Sequence, residues 1–246
     1  MCMFGLQNMS TDHPLNGPVV LDLIKKYREI AVNIHDICPY SLSYMVHGAQ
    51  SWSTANADVQ ELLAIIINKA VHLKSESFTY QLICNNMAGL LKHNDLSSRE
   101  ALSLMHILTV KFQDCEPDQH MDTNMMGILF FQLQNIHSMH IQKEEMLAYI
   151  STLADKVEQS PHVPSPIQIS NMLYATKNMP DHCPEIRRVR KVVLQKAHQV
   201  KGRFSPRDLS KCFSSLQHMN MNHQEMHSFI PLLTQWTQQG LLNRAK

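Results

Sequence analysis

Apolar residues return along this chain at three- and four-residue steps, in blocks separated by short polar stretches. In SPIQISNMLYATKNM, Ile167, Met172, Leu173 and Met179 fall near those steps and mark one buried stripe of a helix. FTYQLICNNMAGLL reads the same way. These blocks open on proline or a hydroxyl residue at Pro39, Thr79, Thr123, Pro166 and Ser205-Pro206. Proline suits the first helical turn, and hydroxyls cap it. A polar turn follows each block, as in STANAD or PDHCP, and then a second helical pattern. The second patterns are VVLDLIKKYREIAV, VQELLAIIINKAVHL, REALSLMHILTVKF, EEMLAYISTLADKV, PEIRRVRKVVLQKA and QEMHSFIPLLTQW. Asp58, Glu100, Glu144 and Glu185 lie at or near their starts, where the helix dipole favours negative charge. Pro231 interrupts the last of them and predicts a kink. Strict two-residue alternation is missing, so strands are not expected.

The paired patterns repeat. MFGLQNM at Met3–Met9 returns as LYATKNM, FSSLQHM and FFQLQNI, with weaker copies in VHGAQSW and MAGLLKH. The closing residues fall at 9, 52, 93, 136, 179 and 219, intervals of 40 to 43 residues. Helical pairs at such a period bury one face each and need stacking to make a continuous core. The expected fold is therefore all-α: a right-handed α-solenoid of about six helix-turn-helix repeats of the armadillo, HEAT or TPR kind. The repeats run approximately 1–36, 37–76, 77–119, 120–163, 164–203 and 204–246 in a single domain. Since the first pair opens inside its first helix, the chain is expected to be part of a longer array. Within each landmark a small residue recurs at Gly5, Gly48, Gly89, Ala175 and Ser215, with Gln132 as the exception. Small residues there suit a close helix crossing. After each landmark a lysine recurs at Lys26, Lys69, Lys111, Lys156 and Lys196; the sixth repeat breaks the pattern around Thr234–Thr237.

Composition agrees with helices. Only 7 of 246 residues are glycine, too few for the many positive-φ turns of a β-barrel or of Gly-loop nucleotide enzymes. A formal charge of +1 carries no global basic field, so any nucleic-acid contact must come from a local patch. Six dispersed cysteines form no CxxC pair and read as buried free thiols in a reducing, intracellular compartment. No apolar run reaches membrane-spanning length, and no secretory signal or Arg-rich transit segment is visible.

Units of about forty residues, a first helix reading QISNMLYATKNM and a second ending in Lys-Ala or Lys-Val resemble the tandem helical-pair repeats of organellar RNA-binding proteins. That group includes octotricopeptide-repeat proteins, the arrays preceding RAP domains and the armadillo-like subunits of mitochondrial RNA-editing substrate-binding complexes. The resemblance spans the chain and rests on length and pattern more than on identities. It implies RNA processing, stability or translation in a mitochondrion or plastid. No RAP-like or nuclease module follows the last repeat, since residues 240–246 read as a short tail, so the implied role is binding without attached chemistry.

Catalytic candidates are weak. His223 and His227 share a helix face with His218 nearby, but HQEMH misplaces Glu225 for a zinc-protease HExxH. His137, His140 and His182-Cys183 fall in turns. No nucleophile elbow, phosphate-binding Gly loop or paired-carboxylate set is present, so no enzyme activity, metal or cofactor is expected. The 16 methionines, including Met121, Met125 and Met126, have core-filling spacing.

Basic residues are more telling. EIRRVRKVVLQKAHQVKGRFSPR carries Arg187, Arg188, Arg190, Lys191, Lys196, Lys201, Arg203 and Arg207 against the single acid Glu185. Joined to the repeating lysines, this set predicts a phosphate-binding track along single-stranded RNA. Gln7, Gln50, Lys92, Gln134, Lys177 and Gln217, with neighbours Asn8, Ser51, Asn135, Asn178 and His218, form a first-helix column that reads either as base contacts, one per repeat, or as caps of helix ends. Beside the RNA, protein partners in a ribonucleoprotein assembly are expected; the competing expectation is a protein–protein scaffold whose concave groove holds a helix or extended peptide.

Overall fold

The computed structural model describes residues 2–34, 37–92, 96, 98–115, 121–134, 136, 138–220 and 222–241. Every regular element among them is helical. After a short 3-10 helix, Cys2–Leu6, come α1 (Gly17–Asn33), α2 (Pro39–Ala49), α3 (Ala57–His72), α4 (Tyr80–Leu90), α5 (Arg99–Asp114) and α6 (Thr123–Leu133). Then follow α7 (Ser138–Ile141), α8 (Glu144–Gln159), α9 (Pro166–Ala175), α10 (Pro184–Ala197), α11 (Pro206–Ser215) and α12 (Gln224–Leu241).

Local chemistry explains the boundaries. Proline occupies the first turn of α1, α2, α9, α10 and α11, where its missing N–H costs nothing. Thr79, Ser98 and Asp122 cap α4, α5 and α6 through their side-chain oxygens. Ser165 with Gln168, and Ser205 with Asp208, close reciprocal capping boxes on α9 and α11. Pro231 sits inside α12, which runs on to Leu241. Two expectations are corrected. The first landmark forms the 3-10 turn rather than an α-helix. Ile167 is 54% exposed, and Ile169 takes its place on the buried stripe beside Met172 and Leu173.

The chain divides into two compact units, Met1–Gln119 with Lys143–Tyr149, and His120–Gln142 with Ile150–Lys246. In the first, α2 packs on α4, while α1 packs on α3 and α3 on α5. In the second, α9 packs between α6 and α11, and α10 lies against α9 and α12. First helices thus pack on first helices and second on second, the neighbour-to-neighbour packing of an α-helical repeat. The first unit's core includes Ile24, Leu42, Trp52, Ile66, Ile83, Met87 and Phe112, all fully buried. In the second unit Met126, Phe130, Met172 and Phe229 are fully buried, and Phe204 stacks on Trp236 with centroids 3.7 Å apart. Cys84, Cys115, Cys183 and Cys212 are buried free thiols, whereas Cys38 is exposed at the start of α2. Among the described residues no helix is long and apolar enough to cross a membrane.

The small-residue column has a steric cause. A Cβ on Gly48 would lie 2.4 Å from the Met3 carbonyl oxygen, and one on Gly89 would lie 2.9 Å from the backbone nitrogen of His47. Each glycine lets one first helix touch the backbone of its predecessor. Gly89→Ala is expected to lower stability by about 1–3 kcal/mol through overpacking, read as a lower urea midpoint at unchanged slope.

Candidate functional site

The repeating lysines point at backbone. Lys69 Nζ donates to the Ile34 carbonyl, Lys111 Nζ to that of Leu73, and Lys196 Nζ to that of Ser160. Ile34, Leu73 and Ser160 directly follow α1, α3 and α8. A helix leaves its last carbonyls without partners and its C-terminus partly negative, so an ammonium there answers both needs. Each lysine therefore staples its helix to the end of the second helix before it. Lys156 and Lys196 are buried, and burial pushes the Lys196 ammonium below the ordinary lysine range. The lysine period has a packing cause: Lys69, Lys111 and Lys196 of the expected phosphate track each hold a backbone carbonyl of the same chain. Lys26, in the first repeat, is exposed.

The arginine cluster splits along the same lines. Arg190 is 2% exposed; it bonds Asp181 Oδ1 at 2.6 Å, the Thr176 carbonyl at 2.6 Å and the Met179 carbonyl at 3.0 Å. It holds the turn after α9 and is not available to phosphate. Arg188 pairs with Asp155 and Glu158 on α8, raising its pKa further. Arg28 on α1 pairs with Asp58 and Glu61 on α3. Lys191, Lys201, Arg203 and Arg207 are exposed, and Arg187 is half-buried. Arg187 lines a cavity of about 510 Å³ with Asp181, His182, Met219, Asn220 and His223. Its Nε is buried without a hydrogen-bond partner among the described residues. Asp181 there also accepts from the Asn220 amide at 2.7 Å and faces His223 Nε2 at 3.0 Å.

The landmark column divides too. Gln50 is buried, and its amide donates to the Gln7 carbonyl at 2.8 Å, a bond joined by Ser51 Oγ at 2.6 Å. Here the capping reading describes the geometry. Lys92 and Gln217 are exposed, while Gln7, Gln134 and Lys177 are half-buried. Asn135, His137 and the landmark residue His93 lie outside the described residues. His140 belongs to the short α7. Among the described residues no three His, Cys, Asp or Glu side chains gather as a metal site.

A different column faces outward. Positions twelve, eight and five before each landmark residue share one helix face. In the first unit these are Tyr40, Tyr44 and His47 on α2, and Gln81 and Asn85 on α4. Tyr40 is 57% exposed and Tyr44 38%, with Phe4 edge-on to Tyr44 at 5.6 Å. In the second unit they are Asn124, Ile128 and Phe131 on α6, Ile167, Asn171 and Tyr174 on α9, and Arg207 and Lys211 on α11. Phe131 is 58% exposed, a large aromatic left in water. Lys177 Nζ lies 3.9 Å from the Tyr174 ring centroid and 2.6 Å from its hydroxyl.

The asparagines of this ridge are oriented. Lys211 Nζ, which can only donate, bonds Asn171 Oδ1 at 2.5 Å, leaving the Asn171 NH₂ as the remaining donor. Gln168 Nε2 donates to Asn124 Oδ1 at 3.2 Å, and Gln81 Nε2 to Asn85 Oδ1 at 3.0 Å. The recurring landmark residues close each first helix and do not mark this face. Its only sequence signal is the i, i+4, i+7 spacing of amides and aromatics at a fixed offset from each landmark.

A second surface lies on the second helices. Arg28, Glu29, Val32, Asn33, Glu61, Ala64 and Ile65 line a groove of about 640 Å³ between α1 and α3. Comparison with protein families, with characterised proteins and with solved structures gives no match to this chain.

Proposed function

We propose that this chain is a non-catalytic, single-stranded-RNA-binding helical-repeat protein that holds its ligand along the first-helix ridge. The observation that carries this reading is the second unit's ridge, where Phe131, Tyr174 with Lys177, and Asn171 with Lys211 stand at matching positions of adjoining helices. Exposed aromatic rings stack on bases irrespective of sequence. Outward amide NH₂ groups donate to acceptors on base edges, and the amines beside them meet phosphate. Arg207, Lys191, Lys201 and Arg203 add exposed charge, and Arg187 adds a guanidinium in the neighbouring cleft. In this reading the paired helices are six repeats of a right-handed solenoid of the armadillo, HEAT or TPR kind. The resemblance to octotricopeptide and RAP-associated arrays suggests RNA processing, stability or translation in a mitochondrion or plastid, alone or within a ribonucleoprotein assembly.

The test is fluorescence anisotropy with a labelled single-stranded RNA across a salt series. Affinity is expected to fall with salt, with a logarithmic slope near −0.7 per phosphate contact. Lys177→Gln and Lys211→Gln should each flatten the slope by about that amount. Absence of salt-dependent binding would remove the reading.

One observation favours a second reading. The α1–α3 groove offers Val32, at 59% exposure, with Ala64 and Ile65 between Arg28, Glu29 and Glu61. An apolar floor with charged walls suits an amphipathic helix of a protein partner. Val32→Asp would weaken that partner while leaving RNA affinity unchanged.

A further inference from the structure

The staple lysines give a common register for the second helices. Seven residues before each stand Val19, Leu62, Leu104, Tyr149 and Val189, and three before each stand Leu23, Ile66, Leu108, Leu153 and Val193. With the lysine itself these positions form an i, i+4, i+7 stripe. Leu62, Leu104, Tyr149 and Val189 are 0%, 2%, 0% and 1% exposed, but Val19 is 58% exposed. Ile66, Leu108, Leu153 and Val193 are likewise buried, and Leu23 is half-buried. The lysine end of the stripe behaves the same way. Lys69, Lys111 and Lys196 hold carbonyls of the preceding second helix, and Lys26 is exposed. The small-residue column agrees: Gly48 and Gly89 press on the backbone of the preceding element, and among the described residues nothing lies within 4 Å of a Cβ on Gly5.

The same stripe is thus covered on the later second helices and bare on α1. Within the first unit, the covering element for α3 is α1, and for α5 it is α3. We propose that the bare face of α1, with Val19, Leu23 and Lys26, and the open side of the 3-10 helix at Gly5 form a docking surface for one further helical hairpin of the α2–α3 type. That hairpin's second helix ends with an open carbonyl at Lys26, and its first helix crosses at Gly5. The occupant is defined by the chemistry of the interface already repeated inside the molecule: an apolar helix flank beside a C-terminal carbonyl. This surface is independent of the RNA reading.

The test extends the chain with a second copy of residues 37–84 placed directly before Met1, which keeps the landmark spacing. Val19→Cys is introduced into the original and the extended chain, and peptide-resolved thiol alkylation is followed by mass spectrometry. In the original chain Cys at 19 should alkylate as an exposed thiol. In the extended chain the rate should drop about tenfold or more, as for a group that reacts only on local opening. Equal rates in both chains would overturn the proposal. Protection in the original chain that rises with its concentration would name the α11–α12 end of a second copy as the occupant, and would overturn the α2–α3 assignment. As a separate arm, Val19→Asp should leave the melting temperature of the original chain unchanged and lower that of the extended one. The same melting response in both chains would count against docking.

Discussion

Arg190→Met is expected to destabilise the protein by about 3–5 kcal/mol, the cost of breaking a buried ion pair from one side. The guanidinium ties Asp181 to the carbonyls of Thr176 and Met179, all in the turn that joins α9 to α10. Without it, those carbonyls lose buried donors, and Asp181 is left with the Asn220 amide and His223 among the described residues. In a chain of this size the melting temperature should fall by about 10 °C. Adding Asp181→Asn should cost less on the Arg190→Met background than alone, because the two residues share one network. Arg187→Met, three residues earlier on the same helix, should cost far less stability. Equal losses at 187 and 190 in thermal denaturation would contradict the division of the cluster.

Lys196→Met is the second large effect, at about 2 kcal/mol. Methionine keeps the apolar stem and removes the hydrogen bond to the Ser160 carbonyl, which is then buried without its donor. Lys26→Met, the first member of the same column, is exposed and should change stability hardly at all. Lys196 also carries a pH signature. Burial lowers its folded-state pKa below the unfolded value of about 10.4. Its charge therefore opposes folding below the folded pKa, and that penalty is relieved as pH rises from the folded value to the unfolded one. The stability difference between the native chain and Lys196→Met should accordingly change across that alkaline interval, with the native chain gaining. Urea midpoints at stepped pH read it directly.

The forty-residue period and the helical pairs are legible in the sequence because burial writes them as apolar stripes and caps at fixed offsets. The small column is legible too, since Gly48 and Gly89 permit backbone contact that no side chain allows. The lysine column is visible as a period but not as a cause. A solvent-facing basic track and a row of staples to preceding carbonyls demand the same residue at the same spacing. Only the direction of Nζ separates them. The run from Arg187 to Arg190 shows the same ambiguity within one helical turn: three arginines of like composition end in a cleft, an inter-helix ion pair and a buried turn clamp. The first-helix ridge leaves no residue period in the sequence, for the opposite reason. Exposed positions are not held to one residue type, so Tyr44, Asn85, Ile128, Asn171 and Lys211 occupy one register without resembling one another.

This reassignment moves the RNA proposal from second helices to first. Charge remains modest, as a net +1 requires, and the ridge compensates with rings and amides that do not depend on a global field. Phe131→Ser and Tyr174→Ser should therefore weaken RNA binding at high salt as much as at low salt, because stacking is not screened. The lysine variants on the ridge should lose their effect as salt rises.

The most direct measurement is photo-crosslinking of a thiouridine-bearing single-stranded RNA to the full chain, followed by peptide mapping. The ridge account predicts crosslinks on the first helices, at or beside Phe131 and Tyr174, with Tyr40 and Tyr44 in the first unit. Crosslinks confined to the second helices, or none above an unrelated protein control, would contradict it.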